Sequence, residues 1–249
     1  MLPYFPDPNA TITHNYRDYI ISFVTFISVT IALTYDGSAP LAHQKIMAVI
    51  AWAILITMLW GENTLVRTQV LVAMIFATLG ENFASLYMEG YIYRFRNIPA
   101  YIPAGHGIVY LTAVALGRSG FFQRYARKIS IFVVIVGGLW AIRGVSPYTE
   151  RADAIGLVLF IIFLVCLFKG RSPMVYLGAF FITSWLELVG TQAGTWAWVG
   201  IDPVTGLSQG NPPSGIAAWY CLVDAVAMAG ATPMLKLFKP FLSSSSPSV

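Results

Sequence analysis

Charge is what this sequence has least of. Asp, Glu, Lys and Arg make up 10% of its 249 residues, where a soluble domain carries about 25%. A water-facing protein must cover its surface with polar groups, so the deficit excludes an ordinary soluble domain. Only three histidines occur (His14, His43 and His106), and they are dispersed. That excludes a histidine-rich di-iron site and a bis-histidine haem bundle. Lysine is missing from the middle of every apolar run, which removes a retinal-type Schiff base. Phosphate-binding loop, nucleophile-elbow and HExxH motifs are all absent. Neither a metal nor an organic cofactor is expected. The two cysteines, Cys166 and Cys221, both fall inside apolar segments and are read as small buried thiols, not a disulfide. The first sixteen residues have no basic stretch that would mark a cleavable signal. The Asn9-Ala10-Thr11 sequon is read as cytoplasmic and unmodified.

What is present in quantity is hydrocarbon. Hydrophobic residues make up 57% of the chain, and the mean hydropathy is +0.69. A bilayer core needs about 17–25 mostly apolar residues per helix. Eight runs fit or nearly fit, at 17–35, 44–61, 67–89, 104–118, 129–146, 152–169, 173–198 and 213–237. The expected fold is therefore all-α, a polytopic transmembrane bundle of about eight helices. It forms one domain over 1–242, and the Ser-rich residues 243–249 are read as a disordered tail. The net charge of +4 does not indicate nucleic acid, because Lys and Arg lie mostly between the apolar runs. Eight crossings put ten of them on the side of the termini and five on the other. That bias places both termini in the cytoplasm of a cell's inner (cytoplasmic) membrane, with the bilayer as the principal partner. The segment Arg118–Lys128 is the strongest determinant and is read as a loop.

The two halves echo each other, with candidate repeat units at 17–118 and 129–237. Glu81 is followed by Tyr91-Ile92-Tyr93, a Pro-containing loop and Gly107-Ile108. Glu187 is followed by Trp196-Ala197-Trp198, a Pro-Pro loop and Gly215-Ile216. The acid lies 12 residues before the second aromatic in one half and 11 in the other. Either Glu81 or Asn82 could thus be the counterpart of Glu187.

Carboxyl groups inside a bilayer are costly, by about 2.5–3.5 kcal/mol on insertion scales. Glu81 and Glu187 fall at similar depth in the outer half, and Asp224 near the middle. No Lys or Arg sits at matching depth. These acids should be hydrogen-bonded, hydrated or protonated, the setting of a proton donor. Helical spacing places Glu187, Thr191 and Trp198 on one stripe, and Asn82, Leu86 and Tyr93 on another. His106 opens the fourth run within reach of Glu81 or Glu89 and is a candidate for proton transfer. The simpler reading of the aromatics is an interfacial belt, and of each acid a hydrogen bond to the next helix.

The run Glu187, Thr191, Gly194, Trp196-Ala197-Trp198, Pro212-Pro213 and Trp219 resembles integral membrane carotenoid hydratases of the bacterioruberin pathway. It is similar, more loosely, to small membrane terpene and lycopene cyclases. The resemblance covers about 35 residues, and as many again through the repeat. It departs in carrying Trp for Tyr and in the segment around Pro212. It implies protonation-initiated hydration or cyclisation of a hydrophobic isoprenoid-like molecule. Glu187 would be the donor, Glu81 or Asp224 its partner, and Trp196, Trp198, Tyr91 and Tyr93 the lining, with Thr191, Asn82 and Trp219 nearby. Two other classes use such acids: a proton-coupled carrier, and a non-catalytic lipid or pigment binder.

Overall fold

The computed structural model describes residues 12–243. The sequon at 9–11 and residues 244–249 of the expected tail lie outside them; Ser243 itself closes the last helix. Eight α-helices are present among the described residues: α1 (Tyr16–Asp36), α2 (His43–Leu59), α3 (Thr64–Glu81), α4 (Ile102–Arg118), α5 (Gly120–Gly144), α6 (Ala154–Lys169), α7 (Pro173–Ala193) and α8 (Ala217–Ser243). A π-helical segment, Asn82–Tyr87, continues α3. Two three-residue strands, β1 (Tyr91–Tyr93) and β2 (Trp196–Trp198), complete the list.

Five of these helices are long and apolar enough to cross a membrane: α1, α3 with its π-helical extension, α5, α7 and α8. Their outer faces carry large exposed hydrophobics, such as Ile20, Phe23, Ile27 and Ile31 along α1. No soluble monomer tolerates patches of that extent, whereas hydrocarbon solvates them. The chain is a multi-pass helical membrane bundle.

Local chemistry explains where the helices start. Asn15, Asn63 and Ser119 cap α1, α3 and α5 with side-chain oxygens that accept early main-chain N–H groups. Pro173 opens α7, where its missing N–H costs nothing. α5 begins at Gly120, with a break at Tyr125. Arg124, Arg127 and Lys128 therefore lie on a helix rather than in the loop expected from the sequence. The Ser119 cap is strong enough to start the helix before the apolar run does.

α4 is the centre of the bundle and is lined with small residues. A Cβ on Gly178 of α7 would stand 2.3 Å from the carbonyl oxygen of Ala113 on α4, so these two backbones touch because glycine is there. α4 with α7, and α3 with α8, are the most extensive helix pairs. Each of these pairs joins one helix of the first half to one of the second.

At the end of the bundle that holds the N-terminus, charge is buried in a closed network. Arg118 donates to Asp18 (2.7 Å) and, through both terminal nitrogens, to Glu62 (2.9 and 2.6 Å). Arg17 donates to Glu62 and to the Met58 carbonyl. Two residues counted as orientation signals thus also lock α1, α4 and the α2–α3 turn together. Burial pushes the Glu62 carboxyl up, but the hydrogen bonds and charges of Arg118 and Arg17 outweigh it and hold Glu62 below its ordinary value. A carboxyl lowered on folding stabilises fully above its unfolded value of 4.5. The contribution fades as pH falls through the lower folded value. Thermal stability in detergent should therefore fall on acidification below 4.5, and Glu62→Gln should flatten that dependence; parallel curves for the two proteins would count against it.

Candidate functional site

The site lies at the opposite end and is built from two nearly equivalent pieces. In the first, Glu81 ends α3. The next six residues form the π-helical turn, with Met88 N–H donating to Phe83 O at 2.9 Å. A π turn accommodates one extra residue without breaking the helix. That residue is the difference between the 12- and 11-residue spacings, and it makes Glu81 the counterpart of Glu187. Asn82 is displaced outward: it is exposed, and its amide donates to the Thr78 carbonyl at 2.8 Å. The expectation that Asn82 lines the site is corrected accordingly.

β1 then brings Tyr91 and Tyr93 back over the helix end. Alternate residues of a strand point the same way, so both hydroxyls reach one oxygen. Tyr91 donates to Glu81 Oε2 at 2.5 Å and Tyr93 at 2.8 Å. The other oxygen, Oε1, meets His106 Nε2 of α4 at 3.1 Å.

The second piece repeats this arrangement with indoles. α7 stops at Ala193, five residues before the expected end of its run, because Gly194 takes a left-handed conformation (φ +74°). β2 turns back, and the Nε1–H groups of Trp196 and Trp198 donate to Glu187 Oε2 at 2.9 and 3.0 Å. The helical stripe drawn through Glu187, Thr191 and Trp198 is therefore wrong in its cause. Trp198 meets the acid across a chain reversal, and Thr191 Oγ1 is spent on the Glu187 main-chain carbonyl at 2.7 Å. Trp219 is also corrected: at 53% exposed, it faces outward.

The strands pair antiparallel, with Ile92 opposite Ala197, Tyr91 opposite Trp198 and Tyr93 opposite Trp196. All four aromatics consequently share one face of a ribbon laid across both helix ends. Tyr91 and Trp198 ring centroids are 4.6 Å apart, and Tyr93 and Trp196 5.9 Å. Glu187 is 6% exposed and within electrostatic reach of Glu81. Its Oε1 has no protein hydrogen-bond partner among the described residues. Gly190 makes the clamp possible, since a Cβ there would lie 2.0 Å from the Trp196 ring. Gly190→Ala should displace that indole and cost about 1–3 kcal/mol, read as lower thermal stability with altered tryptophan fluorescence. A wild-type spectrum and melting curve would show that the contact gives way cheaply.

Comparison with known families, characterised proteins and solved structures returned no match. The chemistry has to be read from the site alone.

Several supporting residues were not foreseen from the sequence. Arg151 donates to the carbonyls of Trp198 (2.6 Å), Val199 (2.8 Å) and Gln209 (2.8 Å). Asp153 accepts the N–H groups of Gly156, Gly210 and Ser214 at 2.9, 2.7 and 2.8 Å. Gln209 donates to the Gly90 carbonyl at 2.9 Å. Together they fix the α7–α8 loop beneath the ribbon. The Tyr220 ring of α8 lies beside His106, tilted by 40° with centroids 6.0 Å apart, and is within electrostatic reach of both glutamates. Asp224 sits one turn further along α8, 1% exposed, and is outside the hydrogen-bonded set. Only the N-cap position of Asp153, ahead of Ala154-Ile155-Gly156, gave a sequence signal for any of these. No cluster of three or more His, Cys, Asp or Glu residues suited to a metal ion occurs among the described residues. Cys166 and Cys221 are free.

Proposed function

We propose that the chain is a membrane-embedded enzyme that performs acid/base chemistry on a C=C bond of a long isoprenoid-like substrate. The observation that carries this reading is the pair of buried carboxyls beneath one aromatic ribbon. They are within electrostatic reach of each other, and the two clamps that hold them differ in chemistry.

Indole N–H groups can only donate. Trp196 and Trp198 fix Glu187 through Oε2 and leave Oε1 to carry a proton. In this reading Glu187, kept neutral by its apolar surroundings, passes that proton to one alkene carbon, and a tertiary cation forms on the other. The faces of Trp198 and Tyr91 stabilise such a cation by about 0.5–2 kcal/mol each. Glu81, held by two phenols and His106, takes the balancing proton. In a cyclisation that proton leaves a carbon next to the cation and a new C=C forms. In a hydration it leaves the water that adds to the cation. His106 returns protons between turnovers. A polar recess of about 50 Å³ beside Tyr93, lined by Ser85, Glu89 and Arg96 among others, is suited to supply water. Both termini are assigned to the cytoplasm by the Lys/Arg bias, which puts the ribbon at the outer face of the cytoplasmic membrane.

The test is to incubate purified protein with linear polyprenes or carotenes in lipid vesicles made with heavy water. Mass spectrometry should find product carrying one carbon-bound deuterium after cyclisation, or the elements of heavy water after hydration. Recovery of bound but unaltered lipid would point to a binder and sink the enzymatic reading.

A further inference from the structure

Asp224 is a deeply buried acid of the bundle. It is 1% exposed, seven residues into α8, and its Oδ2 has no hydrogen-bond partner. One other group nearby shares that condition. The hydroxyl of Tyr110, on α4, is fully buried and also without a partner. Tyr110 packs in the same apolar cluster as Val223 and Ala227, which flank Asp224 on α8, and it lies within electrostatic reach of the carboxyl. Buried polar groups without a partner are costly, and far more so if charged. Two such groups facing one packed cluster, each unpartnered, are a setting suited to a bridging internal water.

Among the described residues, no Lys, Arg or His pairs with the carboxyl. The titratable groups around the carboxyl are Tyr110 from α4, Tyr176 from α7, and Tyr220 and Cys221 from α8 itself. An ionised Asp224 would have no counter-charge, so only the neutral acid fits. Tyr220 and Asp224 are four residues apart on α8 and so share a face. Tyr220 also adjoins His106 and the two glutamates, which leaves it between the ribbon and Asp224.

We propose that Asp224 and Tyr110 share an internal water and form a proton-holding site inside the membrane, joined through Tyr220 to the Glu81–Glu187 pair. Water and a proton are its ligands. Its feeding role rests on reading Glu187 as the acid; the site itself does not.

Infrared spectroscopy of the full chain in lipid nanodiscs tests this without any substrate. The wild-type spectrum should contain a carboxylic-acid carbonyl component that disappears in Asp224→Asn, a substitution of the same shape. In heavy water that component should shift downward, because the acid exchanges through the bridging water. Tyr110→Phe should retain the component but move its frequency. Glu187→Gln should remove a different component, so loss of either assignment leaves the other standing. The site is overturned if Asp224→Asn leaves the acid-carbonyl region unchanged. It is equally overturned if the Asp224 component ignores heavy water, or if Tyr110→Phe leaves its frequency where it was.

Discussion

Glu187→Gln should lower turnover by about 10²- to 10⁴-fold, the usual contribution of a positioned general acid, without loosening the fold. The amide oxygen of glutamine can still accept both indole N–H groups, which now meet Glu187 Oε2 at 2.9 and 3.0 Å. What glutamine lacks is a proton to give. Glu187→Leu separates the two roles. It would strand two buried N–H donors at roughly 1–3 kcal/mol each, so stability and turnover should fall together. The readings are deuterium incorporation into product and the unfolding temperature of each variant in the same detergent. Full turnover in the glutamine variant would remove Glu187 from proton transfer and leave it a fastening for the ribbon.

Asp153→Ala should be the most damaging single change to the architecture of the site, although Asp153 touches none of the aromatic clamps. Its carboxylate gathers three main-chain N–H groups, from the start of α6 and from both sides of the Pro212-Pro213 turn. Alanine leaves all three buried and unanswered, a loss on the order of 3–9 kcal/mol at roughly 1–3 kcal/mol each. Residues 199–214 should then become open to proteases and to amide exchange, and the ribbon should follow, since Gln209 ties that loop to Gly90. Asp153→Asn is expected to be milder. One amide oxygen can keep the Gly156 and Gly210 bonds while the Ser214 bond is lost. Unchanged exchange in residues 199–214 of the alanine variant would show that Arg151 alone holds the loop.

The helices were legible in the sequence because lipid demands long apolar runs: each of the eight runs overlaps a helix, and five of those helices are long and apolar enough to cross. Glu81 and Glu187 as buried, hydrogen-bonded acids, and His106 within reach of Glu81, were also legible, since an acid without a local counter-charge stands out in hydrocarbon. The ribbon was not. Tyr91-Ile92-Tyr93 and Trp196-Ala197-Trp198 are too short to show a strand period, and their pairing joins positions more than a hundred residues apart. Extending the helical period through Gly194 gave the correct partner for Glu187 by the wrong route, and the glycine was the available warning. The π turn after Glu81 left its trace as a one-residue mismatch between the halves. That mismatch reads as ambiguity until the second strand is seen to share its register. Arg151 carried no signal at all, because a guanidinium that serves main-chain carbonyls looks like any other loop cation.

The ribbon also restricts how the molecule can move. It stitches the end of the α3 limb to the end of the α7 limb by main-chain bonds, and Arg151 and Gln209 rivet the α7–α8 loop to it. A carrier that rocks its two halves apart would have to unzip that clasp every cycle.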